Sequence, residues 1–307
     1  MLRWRLLSAA VMIAIAVTAV AADYQSETPA GLWLLPIGLA VALLAADELD
    51  ALLAGPVPPL QRAQVAGVTA AAFLVMALPV WYPLVAGAYP IDCPVGRAGW
   101  LGAGVLVGGV LWFLHEVAWF DSQDEHRAQR IARHVLSLVY PTALLGTAIV
   151  LRQAGDRGYG LSMVVAVIAV TKMSDAGAYF GGRTFGRRRL APVLSPKKTW
   201  EGALAGLLAG VITAAVYFAW IGPACFGTEP LRGGAIARSA LFGVVVVVAG
   251  VWGDLFESLL KRDAGKKDSS SWLPGLGGIL DTIDSLLFAF PVAWALAVLD
   301  WSGTGGQ

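Results

Sequence analysis

Nine stretches of about twenty mostly apolar residues recur along the chain, near 5–22, 31–53, 65–87, 99–120, 134–152, 159–180, 199–221, 237–257 and 280–299. A helix needs about 20 such residues to cross a bilayer. The expected fold is therefore an all-α polytopic membrane protein of about nine transmembrane helices. Composition agrees, since 57% of the 307 residues are hydrophobic and only 14% are charged. Soluble domains carry about 25% charged residues. No polar segment is longer than about twenty residues, which leaves no room for a separate soluble domain.

The first run imitates a secretion signal. Arg3 and Arg5 precede its apolar core, and Ala-Val-Ala-Ala before Asp23 resembles a cleavage site. Eight further spans follow, so the first is expected to stay as a helix. Arginine and lysine then set the orientation, because cytoplasmic loops are enriched in them. With the N-terminus cytoplasmic, that side holds Arg3, Arg5, Arg62, three residues in 127–133, six in 183–198 and four in 261–267. The opposite side holds only Arg97, Arg152, Arg157, Arg232 and Arg238. The expected location is the inner, cytoplasmic membrane, with both basic loops facing soluble nucleotides. Spans 1–4 (residues 1–133) form an N-terminal part, and spans 5–9 (134–307) carry the chemistry.

Several classes are excluded or disfavoured. A net charge of +1 without a basic domain gives no reason to expect nucleic acid. Cys93 and Cys225 lack CxxC spacing, so zinc and dithiol motifs are absent. Both fall in loops on the extracytoplasmic side, where a disulfide is permitted but not required. The glycine- and arginine-rich segment 181–189 does not end in the Gly-Lys-Ser/Thr of a phosphate-binding loop. No repeat links the halves, which disfavours an inverted-repeat transporter.

Two polar constellations interrupt the apolar pattern. In the first, Lys172 and Asp175 lie three apart and share one face of the sixth span. Ionised groups at that depth cost several kcal/mol unless paired or wet, so a structural Lys–Asp pair and a functional site both remain open. Ser195, Lys197, Lys198 and Thr199 then adjoin the start of the seventh span. Backbone amides at a helix N-terminus, hydroxyls and ammonium groups together suit a phosphate. A purely topological role for the loop is the alternative. Glu201 in the first turn suits the helix dipole.

The second constellation runs from Gly253 to Ser285. Asp254, Ser258 and Lys261, spaced by four and three, fall on one stripe of the eighth helix. Asp281 and Asp284 are three apart at the start of the ninth and face the same way. Three carboxylates from two helix ends, amid many cations, suit a hard divalent ion such as Mg²⁺. Capping of the ninth helix by Asp281 is the other reading. Asp47, Glu48, Asp50 and Glu116 read as pairing or interfacial residues, and His115, His126 and His134 share no ligand spacing.

At these residues the chain resembles the phosphatidate cytidylyltransferase (CDP-diacylglycerol synthase) family. Its signature, Ser-x-apolar-Lys-Arg, Lys-Asp, a Pro-Gly-His-Gly-Gly turn and Asp-Arg-apolar-Asp, is matched in register. The matching residues are Ser258, Lys261, Arg262, Lys267, Asp268, Pro274, Gly275, Gly277, Gly278, Asp281 and Asp284. The block at 174–202 resembles the family's other recurrent segment, so the likeness covers about the C-terminal 45% of the chain. Leu276 stands where the family has histidine, and Thr282 where it has arginine.

The resemblance implies transfer of a cytidylyl group from CTP to phosphatidate, giving CDP-diacylglycerol and pyrophosphate. It assigns the metal to Asp254, Asp281 and Asp284, and catalysis to Lys197, Lys198, Lys261, Arg262 and Lys267. Substrate contacts fall to Ser195, Thr199, Ser258, Asp175, Asp268, Gly277 and Gly278. Mg²⁺ is the implied cofactor, with room for a second, monovalent or divalent, cation. CTP, phosphatidate and membrane lipid are the implied partners, and a homodimer is compatible. A CTP-dependent polyprenol- or phytol-type kinase would use similar carboxylates and basic loops. An ion-coupled transporter would instead use Lys172, Asp175 and Asp254 as a path.

Overall fold

A computed structural model describes residues 2–54, 59–120, 126–229, 235–270 and 277–299. Arg232, and Pro274, Gly275 and Leu276 of the signature turn, lie outside the described residues. Ten helices follow in order: α1 Leu2–Gln25, α2 Leu35–Ala54, α3 Pro59–Met76, α4 Leu78–Ala86, α5 Gly99–Ala118, α6 Arg127–Arg152, α7 Arg157–Phe185, α8 Trp200–Phe226, α9 Ala235–Asp263 and α10 Ile279–Val298. Between α7 and α8 sits a two-stranded antiparallel hairpin, β1 Arg189–Ala191 and β2 Ser195–Thr199.

Among the described residues, seven helices are long and apolar enough to cross a membrane. The pair α3–α4 passes the same test as one unit bent by 72°, which makes up to eight. The break falls at Ala77, just ahead of Pro79, whose missing N–H suits the first turn of a helix but not its middle. The fold is thus that of a helical polytopic membrane protein. The sequence count of nine also includes α2, whose C-terminal half carries Asp47, Glu48 and Asp50. Two spans contain π-helical turns, Leu138–Ala143 in α6 and Tyr217–Ile221 in α8. Pro141 explains the first, since it has no N–H for the ladder.

The chain divides into two compact units, Met1–Val150 with Ala264–Thr282, and Leu151–Asp263 with Ile283–Gln307. In the first, buried charge is paired. Asp50 of α2 meets Arg133 of α6 at 2.7 Å, and Glu116 of α5 takes both Nε and Nη2 of Arg130 at 2.8 and 2.7 Å. His134 stacks on Trp112 with centroids 3.7 Å apart. These arginines therefore neutralise buried acids, a role beyond setting orientation.

In the second unit α7 and α8 meet along small residues. A Cβ on Gly206 would stand 2.9 Å from the Ser174 carbonyl, and one on Gly202 2.8 Å from that of Ala178. Close backbone approach of this kind is how helices gain packing energy where lipid supplies no hydrophobic drive. Gly253 likewise lets α9 lie against the Asp284 carbonyl of α10. Both seams fix the helix faces that bear the polar residues.

Candidate active site

The hairpin is fastened before it presents anything. Glu201, in the first turn of α8, accepts hydrogen bonds from the backbone amides of Arg187 and Arg188 at 3.0 and 3.2 Å. Thr199 caps the same helix, its hydroxyl accepting from Gly202 N at 3.1 Å. The Arg189 guanidinium donates to the Pro196 carbonyl across the strands, and Arg262 of α9 donates to Leu194 O at 3.2 Å. Successive side chains on a strand point to opposite faces. Lys198 accordingly turns inward to Asp254 of α9, Nζ to Oδ2 2.5 Å, while Lys197 is exposed. Ser195 is half-buried.

Around that ion pair lies a row of carboxylates. Ser258, one turn beyond Asp254, donates to its Oδ1 at 3.5 Å. On α7 the Lys172–Asp175 pair forms as the spacing predicts, at 3.4 Å, and Ser285 of α10 donates to the same Asp175 oxygen at 3.4 Å. Thr171, Ser174, Asp175, Gly250 and Ser285 line a crevice with room for one water molecule. Asp284 is only 8% exposed and accepts from Ser285 N at 2.5 Å. The charges acting on it are those of Asp254, Lys172 and Asp175. Three carboxylates thus face two ammonium groups.

Lys261 lies seven residues beyond Asp254 on the same stripe of α9, as the spacing predicts. Its ammonium pairs with the fully buried Glu257. The i,i+4 neighbour is within direct reach, whereas Asp254 lies nearly two turns away.

The remaining signature residues belong to the first unit. Lys267 and Asp268 are exposed, and Gly277 takes a φ of +91° that side chains rarely tolerate. Asp281 sits at the third position of α10 and reaches back to the Gly278 amide at 2.8 Å, the acidic half of a capping box. Its Oδ2 also accepts from Ser269 N and Oγ, at 2.9 and 2.8 Å. The capping reading of Asp281 is therefore realised.

Among the described residues no three His, Cys, Asp or Glu side chains already converge as metal ligands. Mg²⁺, however, commonly binds one or two carboxylates and completes its shell with water and substrate phosphate. A buried carboxylate, Asp284, beside a second acid fits that habit. Sequence reasoning overlooked Ser269 and Ser285, which carry no charge or motif weight, and it left Glu48 as a mere pairing residue.

The chain is a helical polytopic membrane protein that gathers Asp175, Asp254 and Asp284 with Lys172 and Lys198, a set of charges suited to phosphate chemistry. The chain belongs to the cytidylyltransferase family, whose model matches residues 3–299. It is similar to the phosphatidate cytidylyltransferase of Haemophilus influenzae, 41% identical over 136 residues, 44% of this chain and 46% of that one. The enzyme of that name from Pseudomonas aeruginosa is 39% identical over 144 residues, 47% of this chain and 49% of the relative. For the Thermotoga maritima enzyme the figures are 37% over 176 residues, 57% and 62%. The chain thus spans about half the length of the first two relatives and somewhat more of the third.

Proposed function

We propose that the chain transfers the cytidylyl group of CTP to phosphatidate, releasing pyrophosphate and CDP-diacylglycerol. The observation that carries this reading is the Lys198–Asp254 pair beside the buried Asp284, in a chain of this family. A phosphatidate oxygen attacks the α-phosphorus of CTP, the bond from that phosphorus to the β-phosphate bridging oxygen breaks, and pyrophosphate leaves. Such transfers depend on positioning and charge neutralisation rather than on a protein nucleophile. Lys197, Lys198, Lys261, Arg262 and Lys267 are the cations assigned to that neutralisation. Ser195, Thr199, Ser258, Asp175, Asp268, Gly277 and Gly278 are assigned to holding the substrates.

Asp254 and Asp284 would hold Mg²⁺, which supplies Lewis-acid polarisation of phosphate oxygens. Asp281 joins them on the resemblance, as do Lys267 and Asp268 on theirs. A second cation is compatible with three acids facing two lysines. The purified protein given labelled CTP and phosphatidate should form CDP-lipid and pyrophosphate in equal amounts, and only with Mg²⁺. Release of CDP with a newly phosphorylated lipid would instead identify a CTP-dependent lipid kinase.

The topology proposed with this reading has nine spans, α3–α4 counting as one and α2 included, with the N-terminus and the hairpin cytoplasmic in the inner membrane. Cys93 lies in the α4–α5 loop and Cys225 in the last turn of α8; both are free thiols, and Cys225 is exposed. A membrane-impermeant maleimide is expected to label both from the extracytoplasmic side of intact cells. Labelling only after the cytoplasmic face is opened would reverse the orientation.

A further inference from the structure

Glu48, near the C-terminal end of α2, is 7% exposed and belongs to neither signature block. Its two oxygens stand within hydrogen-bonding reach of four donors, the single Ser269 hydroxyl hydrogen being shared with Asp281. Oε1 takes Ser270 Oγ at 2.7 Å and Ile279 N at 2.9 Å, and Oε2 takes Ser269 Oγ at 3.1 Å and Leu280 N at 2.9 Å. Ile279 and Leu280 are the first residues of α10, whose amides no carbonyl of that helix can reach. With Asp281 on Gly278 N, two carboxylates cover three successive donors at one helix end.

A cap alone would not need so much. One carboxylate suffices at most helix starts, and Asp281 is already in place. Glu48 adds the hydroxyls of Ser269 and Ser270, and Ser269 is in turn held by Asp281. A Cβ on Gly278 would collide with Glu48 and with Ser269, so this approach requires glycine at 278. The two ends of the segment 269–281 are thereby tied to one side chain more than two hundred residues away in sequence.

We infer that Glu48 is a positioning residue: a buried anchor on α2 that sets the conformation of the segment bearing Lys267, Asp268, Gly277, Gly278 and Asp281. Its kinetic consequence rests on the function proposed above; its structural consequence does not. Removing a partner that orients a ligand residue typically costs 10–100-fold in activity or metal affinity. Glu48→Gln keeps the shape but turns an NH₂ toward donors. Glu48→Asp keeps the charge and shortens the reach.

The test combines hydrogen exchange with steady-state kinetics on the full-length protein in nanodiscs. In Glu48→Gln, exchange should rise in peptides covering 264–282 and stay unchanged in α7 and α8. The kcat should fall about 10–100-fold, the KM for phosphatidate should hold, and half-maximal activity should need several-fold more Mg²⁺. Glu48→Asp should recover part of both effects. Unchanged exchange in 264–282 for both variants overturns the anchor whatever the activity. Raised exchange with wild-type kcat and Mg²⁺ dependence overturns the positioning role. Raised exchange in a protein that makes no CDP-lipid even as wild type leaves the anchor standing and removes the functional reading.

Discussion

Asp284→Asn is expected to leave a folded, inserted protein whose turnover falls by about three orders of magnitude, the upper end of what one lost electrostatic contact costs in an active site. The substitution is nearly isosteric, and the amide oxygen can still accept the short bond from Ser285 N. What disappears is one negative charge at a site 8% exposed, facing Asp254 and Asp175. Burying like charges together costs stability, so the variant should melt no lower than wild type and is expected to melt higher. A residue whose neutralisation raises stability while abolishing turnover is held in place for chemistry. On the proposed reading, added Mg²⁺ should not restore the rate, because the carboxylate assigned to it is gone. CDP-lipid formation and a thermal melt on the same preparation decide the matter: near-wild-type turnover, or a clear drop in melting temperature, overturns the assignment.

How much of this was legible in the sequence depends on the range of each interaction. The spans were legible because their signal is local, about twenty apolar residues at a time. The Lys172–Asp175 pair was legible for the same reason, being three residues apart on a helix. Lys261 falls on the Asp254 stripe as its spacing predicts, but a helical wheel shows direction without ranking neighbours, and its ion partner is Glu257, four residues away. The hairpin escaped notice since Ser-Pro-Lys-Lys-Thr has no alternation of apolar and polar residues. It is held instead by Glu201 and by an arginine of α9.

Glu48 marks the other limit. An acid near the end of an apolar span is visible, but its four donors lie more than 220 residues further on, and nothing local names them. Asp281 stands between these cases. An acid in the first turn of an apolar span reads as a cap, and the same acid reads as a signature ligand by resemblance. The structure shows the cap.

The two lysines of β2 are expected to separate phosphate binding from topology. Lys198 is drawn to Asp254 at 2.5 Å and its side chain is 24% exposed, whereas Lys197 faces outward from the strand. Lys198→Gln should therefore lower kcat/KM for CTP by about 10²–10³-fold, the range for removing one preorganised electrostatic donor. Lys197→Gln should cost only about tenfold, as for general long-range attraction of an anion. The double variant still has Arg183, Arg187, Arg188 and Arg189 at and beyond the end of α7, enough positive charge to keep the hairpin on the side where the wild type places it. Reporter fusions in the hairpin should thus read the same in wild type and double variant while kinetics collapse. Normal kinetics in Lys198→Gln, or an inverted reporter in the double variant, would show that these lysines serve orientation and not substrate. A double-mutant cycle with Asp254→Asn adds the last discrimination: if Lys198 acts on phosphate and through Asp254 at once, the paired losses will be far from additive.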